Sequence, residues 1–248
     1  MPRPMLQDSR NPVLLSRPRG LGNLPGLGGF IKAAFPKIDD RMHVTRITTG
    51  AGYRRLKRII DIMLGSAIMI FILPVLVLCA IAIKLDSRGP IFFIQPRSGQ
   101  GGKQFRMFKL RTMVDNADAL KGKYRHLSTR SYPDFKIPDD PRVTRSGRVL
   151  RKLSLDELPQ IFNVIRGDMS LVGPRPTSFS SSTYALWHTA RLDAKPGMTG
   201  LWQVCGRSNI DFDNRTRLDL AYIHNQSLWL DIKILICTFG CIIKKEGM

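Results

Sequence analysis

The stretch Ile62–Ile83, IMLGSAIMIFILPVLVLCAIAI, decides the architecture: 22 consecutive residues without a charge. At about 1.5 Å per residue a helix of that length reaches roughly 33 Å, against a hydrocarbon core of about 30 Å, so a membrane segment is expected here. Pro74 stands near its middle. A proline there removes one N–H and frees the carbonyl of Ile70, which is costly in lipid unless the helix bends and another group satisfies it. Arg54, Arg55, Lys57 and Arg58 precede the segment, and Lys84, Arg88, Arg97, Lys103 and Arg106 follow it. Both flanks therefore carry the mark of the cytoplasmic side. A re-entrant helix hairpin, with halves Ile62–Leu73 and Val75–Ile83 and Pro74 as the membrane break, satisfies both flanks. A proline-kinked single-pass helix is the alternative.

Outward from this segment, the chain of 248 residues is strongly basic, with 39 Lys+Arg against 19 Asp+Glu. A formal charge of +20 excludes an acidic solvating chain and points to an anionic partner: nucleic acid, membrane surface or phosphorylated substrate. Residues 1–52 lack helical or alternating periodicity and read as a basic flexible tail; 53–88 carry the membrane helix; 89–248 form one catalytic domain. The four cysteines show no Cys-x-x-Cys pair and the four histidines no metal-ligand spacing, so neither a zinc site nor a disulfide framework is proposed.

Beyond the membrane segment, Ile91–Ile94 and Gln104–Leu110 flank Gly99-Gln100-Gly101-Gly102 and predict a β-hairpin. Lys109 and Arg111, two apart on the second strand, share a face and make either a phosphate contact or a solvated edge. Val114, Ala117 and Leu120 continue at helical spacing, and Ser128–Asp140 reads as a loop. Leu158, Ile161, Phe162 and Ile165 fall at i, i+3, i+4, i+7 and predict a helix capped by Gly167, with Asp156, Gln160 and Asn163 on its opposite stripe. A further helix is expected over Asp211–His224. Leu228-Trp229-Leu230 and the apolar run Ile234–Ile243 suit either an interfacial helix or core packing.

Two chemistries compete for Ser154-Leu155-Asp156-Glu157. Ser154 with Glu157 three residues on has the spacing of a capping box. An ionised carboxylate at that place also suits a nucleophile toward phosphorus or a Mg²⁺ ligand, the role open to Asp156 with Glu157 beside it. Gly167–Pro176 and Lys195–Gln203, the latter followed by Gly206-Arg207, are glycine- and proline-punctuated loops that hold Arg175 and Arg207 in fixed places. A guanidinium fork suits phosphate oxygens.

Taken in order, Lys84–Phe93, Phe108-Lys109-Leu110-Arg111-Thr112-Met113, Leu153–Gln160, Gly167–Pro176 and Lys195–Gly200 resemble the bacterial sugar transferases, the monotopic polyprenyl-phosphate phosphoglycosyl transferases. The resemblance runs from about Tyr53 to Lys244. It implies an α+β, mainly helical fold: a re-entrant, monotopic membrane helix followed by a compact cytoplasmic catalytic domain with a small β-hairpin and interfacial amphipathic helices. It further implies transfer of a sugar 1-phosphate from a UDP-sugar, with galactose or glucose favoured, to undecaprenyl phosphate at the cytoplasmic face of the bacterial inner membrane. UMP is released and an aspartyl phospho-sugar intermediate is formed, as a first membrane step of exopolysaccharide synthesis. Asp156 is then the nucleophile and a ligand of the Mg²⁺ cofactor, with Glu157 as its catalytic neighbour. Lys109, Arg111, Arg175 and Arg207 map to phosphate-binding positions. Inner-membrane lipids are partners, nucleic acid is not, and a homo-oligomer stays open. The alternative from charge alone is a membrane-tethered nucleic-acid-binding or scaffold protein.

Overall fold

The computed structural model describes residues 34–35, 50–129, 137–177, 186–205 and 210–243. Arg207 and most of the loop expected over Ser128–Asp140 lie outside the described residues, as does most of the N-terminal tail. Phe35, within that tail, is buried in the main core.

The first element, α1, spans Ala51–Asp86 and is long and apolar enough to cross a membrane. It runs unbroken through Pro74, so the two half-helices expected around that residue are one element. Asp61, Gly65, Leu76, Cys79 and Ile83 are buried, and Ile68 and Ile72 fill the gap between them. This helical spacing puts one stripe of α1 against the rest of the protein along its length. The other side, including Ile70, Phe71, Leu78 and Leu85, is exposed apolar surface.

Polar contacts pin α1 at both ends. Near its start, Lys57 Nζ lies 2.7 Å from Asp231, which also accepts hydrogen bonds from the hydroxyls of Tyr53 and Tyr222. Asp61 accepts from the Ser170 hydroxyl at 3.1 Å and the Leu171 amide at 3.0 Å. At the far end, Asp86 accepts from the amide and the hydroxyl of Ser146, both at 2.8 Å.

The expected hairpin is present as β1, Phe92–Ser98, antiparallel to β2, Gln104–Leu110. Its turn uses positive φ at Gly101 and Gly102, which glycine adopts without steric cost. Residues 114–127, by contrast, form turns and 3₁₀ segments rather than the helix their spacing suggested. A short helix that periodicity does not announce follows: α2, Arg145–Lys152, capped by Thr144, whose hydroxyl accepts from the Gly147 amide. Gly147 is required there, because a Cβ would stand 2.1 Å from the Thr112 carbonyl.

Helix α3 spans Gln160–Arg166 and ends at Gly167 with φ 101°, as expected of that glycine. It starts later than its apolar spacing predicted, and Leu158 precedes it. Its faces also differ from expectation, since Gln160 and Asn163 are buried while Phe162 is 42% exposed. Asn163 docks the helix on β2: its amide donates to the Arg106 carbonyl at 2.7 Å and its oxygen accepts from the Phe108 amide at 3.1 Å.

The next elements bring together the two glycine-punctuated loops. Strand β3, Ser170–Val172, pairs in parallel with β4, Gly197–Thr199. Three helices complete the fold: α4, Leu201–Cys205; α5, Phe212–His224, capped by Asp211; and α6, Leu228–Ile243. Leu228–Leu230 and Ile234–Ile243 thus belong to one helix, with Leu230 and Ile234 in the core and Trp229, Ile236 and Phe239 outside. The main core joins α3, β3, β4, α4, α5 and α6. A second cluster sets Leu76, Cys79 and Ile83 of α1 against Leu110 of β2 and Leu150 of α2.

Candidate active site

After α2 the chain turns sharply at Ser154, the one non-glycine residue with positive φ (55°) among the described residues. For a residue with a Cβ that conformation costs about 1–2 kcal/mol. Leu155–Glu157 then make a 3₁₀ turn, and the Ser154 side chain forms no capping bond. The capping box is therefore absent: Pro159 occupies the N-cap of α3, and the two acids project from the turn that leads into it. The reason is long-range, because Glu157 is claimed by cations from elsewhere in the chain.

Lys109 of β2 approaches Glu157 Oε1 at 2.8 Å, and Arg175 forks onto both carboxylate oxygens, one of them at 3.0 Å. Burial would raise the Glu157 pKa, but Arg175 and Lys109 outweigh it and hold the carboxyl well below the usual range. Asp156 is in the opposite state. No hydrogen bond to it is found among the described residues, and burial, followed by the adjacent Glu157 charge, pushes its pKa up against the pull of Lys109, Arg151 and Arg175. The result is a half-buried carboxylate with no hydrogen-bond partner among the described residues, next to one held by two cations.

Arg175 is delivered by the β3–β4 pair. Gly173 and Gly197 let the strands' ends close up, since a Cβ on Gly197 would meet the Gly173 nitrogen at 2.1 Å. The Gly197 amide donates to the Pro174 carbonyl at 2.9 Å, fixing the chain just before Arg175. Behind it, Arg191 donates to the Arg175 carbonyl at 2.9 Å and pairs with Asp219, both side chains being buried. Burial raises the Asp219 carboxyl to about 6, with Arg191 opposing the shift.

These groups open on a cavity of about 390 Å³ that Lys109, Arg111, Asp156, Glu157 and Arg175 all line. Five of the expected residues thus meet in one place. Arg111 also has a role apart from the acid pair, because its guanidinium donates to the Ser87 and Arg88 carbonyls and holds the exit of α1. Arg151 lines the cavity too, and sequence reasoning missed it. Its Nε donates to Thr112 Oγ1 at 2.9 Å, and its charge is among those that oppose the rise at Asp156. Its only sequence signal was a basic residue five positions before the acid pair, on a helix too short for periodicity to reveal.

One carboxylate of the acid pair is the only part of it left over for a metal ion. Among the described residues no three His, Cys, Asp or Glu side chains cluster, and both Glu157 oxygens are occupied by cations. Asp156 is the carboxylate of the pair that would be available to Mg²⁺, an ion that commonly takes one or two carboxylates together with phosphate oxygens and water.

Residues 52–245 match the family model for bacterial sugar transferases. The chain belongs to that family. The matched region of this bacterial sugar transferase includes all of α1 but its first residue, and every cavity-lining residue. It is 44% identical over 199 residues to an uncharacterized sugar transferase of Haemophilus influenzae and 43% identical over 199 residues to the undecaprenyl-phosphate galactose phosphotransferase of Salmonella typhimurium. Each match takes in 78% of this chain and 42% of the relative, so the chain spans less than half the length of those relatives. The exopolysaccharide production protein ExoY of Rhizobium meliloti is 36% identical over 198 residues, covering 77% of this chain and 87% of that protein.

Proposed function

We propose that the chain transfers a sugar 1-phosphate from a UDP-sugar to undecaprenyl phosphate, as the first membrane step of exopolysaccharide or related glycan synthesis. The observation that carries this reading is the contrast within the acid pair: Asp156 unengaged and Glu157 clamped by Lys109 and Arg175, in one cavity beside a membrane-length helix.

In the first half-reaction an Asp156 carboxylate oxygen attacks the sugar-bearing phosphorus of the UDP-sugar. The bond from that phosphorus to the bridging oxygen breaks, and its electron pair leaves with UMP. In the second, a phosphate oxygen of undecaprenyl phosphate attacks the same phosphorus and the bond to Asp156 breaks, restoring the carboxylate. A covalent intermediate lets two anionic substrates use one site in turn. Arg175, Arg151 and Lys109 offset the repulsion between the carboxylate and the incoming phosphates. Glu157 keeps Arg175 and Lys109 in place. Mg²⁺, held through Asp156 and the donor's own phosphates, would supply further charge neutralisation.

The membrane topology belongs to the same proposal: α1 enters and leaves by the cytoplasmic face. A straight helix of this length would extend about 54 Å. Yet Tyr53 and Lys57 at one end bond to α6, and Asp86 at the other bonds to α2, in the same packed domain. These contacts favour both ends on the side where the domain lies.

The Salmonella typhimurium relative named for galactose transfer makes UDP-galactose the first donor to test. With undecaprenyl phosphate and Mg²⁺, the purified protein is expected to release UMP from UDP-galactose or UDP-glucose. UMP release from no member of a UDP-sugar panel would overturn the reading.

A further inference from the structure

The β1–β2 ribbon faces two different surroundings. On one face the cross-strand partners Phe92 and Leu110 stand together, and Leu110 packs with Leu76, Cys79 and Ile83 of α1. On the other face Phe93 stands directly opposite Lys109, the lysine that reaches Glu157. Among the described residues β1 pairs with β2 alone, so its outer edge is open. Three successive apolar side chains at that edge are exposed: Phe92 by 42%, Phe93 by 37% and Ile94 by 48%. Pro90, Phe92 and Phe93 also line the cavity that contains Asp156.

An open strand edge carrying three large apolar residues is a liability in water. Here it begins six residues after α1 ends, beside a helix whose outward side is also apolar, and it leads into a cavity lined by Lys109, Arg111, Arg151 and Arg175 together with the acids Asp115, Asp118, Asp156 and Glu157. A molecule with an anionic head and an apolar chain matches both parts. A uracil ring stacks on one phenyl group at a time, whereas three successive apolar residues that continue toward α1 match the length of an apolar chain.

Building on the transferase reading above, we propose that the Pro90–Ile94 edge of β1 is the subsite for the isoprenoid chain of the acceptor. The first isoprene units cross Phe92 and Phe93 from the α1 side, and the lipid phosphate comes to the Lys109 end of the cavity. The lipid and the nucleotide sugar then reach the same phosphorus by different routes.

Two measurements test this. The full chain in nanodiscs is irradiated with a benzophenone-bearing farnesyl phosphate, and the labelled peptides are mapped. Label is expected on the peptide that contains Phe92 and Phe93, and unlabelled undecaprenyl phosphate should displace it. Label confined to α1 or α6, or indifferent to the competitor, would overturn the subsite. In the second measurement, the double variant Phe92→Ser, Phe93→Ser is compared with the wild type for its preference between undecaprenyl phosphate and methyl phosphate, an acceptor with no isoprene unit to reach the two rings. The ratio of kcat/KM for the two acceptors does not depend on how much of the variant is folded. It should fall at least tenfold, and an unchanged ratio would overturn the proposal. Should the wild type transfer to neither acceptor, the transferase reading fails while the labelling result still decides the subsite.

Discussion

Asp156 and Glu157 are chain neighbours held in opposite electrostatic states, and the two states predict opposite effects on stability. The Asp156 pKa is raised in the folded protein, so between its unfolded and folded values the folded state holds the extra proton and stability declines as pH rises. Asp156→Asn removes that cost. Its melting temperature at pH 7.5 should equal or exceed the wild type's while UMP release falls at least about a thousandfold. Glu157 is depressed, so its contribution is present above the ordinary carboxylate pKa and is lost as pH falls through the lower folded value. Glu157→Gln leaves Lys109 and Arg175 without their carboxylate and should cost about 2–3 kcal/mol, read by thermal unfolding in the same detergent. Arg151 offers a pH test. Its charge opposes the rise at Asp156, so Arg151→Gln should move the acid limb of the kcat/KM profile to higher pH. An acid limb that stays in place would remove Arg151 from the field acting on Asp156.

At the scale of elements, α1 is packed into the rest of the domain as well as being long and apolar enough to cross a membrane. Asp61 satisfies two donors of β3, and Gly65 lies against α3, where an added Cβ would stand 3.4–3.7 Å from Ile165, Ile161 and Val164. Asp61→Ala strands the Ser170 and Leu171 donors and should cost about 1–3 kcal/mol. Gly65→Ala fits in ordinary contact, whereas Gly65→Leu should separate α1 from α3 and lower the melting temperature. Phe35 makes a similar point at the N-terminus. Because it is buried in the main core, deletion of residues 1–45 should destabilise the protein by several kcal/mol, while deletion of residues 1–33 leaves that contact in place. Equal melting temperatures for the two truncations would contradict the role given to Phe35.

Across the whole molecule, what the sequence made legible was what neighbouring residues settle by themselves. The uncharged run Ile62–Ile83, the glycine turn between β1 and β2, the Gly167 cap and the helix after Asp211 all depend on local chemistry, and all are present. The misreadings share another cause. Ser154–Glu157 has the spacing of a capping box, but Glu157 is taken by Lys109, 48 residues away, and by Arg175, 18 residues away. Asn163 and Gln160 looked like the polar side of α3, yet Asn163 is buried because β2 supplies its partners. Helix α2 has too few apolar residues to announce itself and depends on Thr144, Asp86 and the close approach of Gly147 to Thr112. The acid pair was visible in the sequence, while the asymmetry between its members is a product of the fold.

In the proposed mechanism the bond-forming step falls to Asp156, and the covalent intermediate can be sought directly. The wild-type protein, given UDP-galactose and Mg²⁺ without lipid acceptor, is quenched rapidly, digested and analysed by mass spectrometry. The account predicts a hexose-phosphate adduct on Asp156 that disappears when undecaprenyl phosphate is added before the quench. An adduct on any other residue, or an Asp156→Asn variant that still turns over, would contradict it.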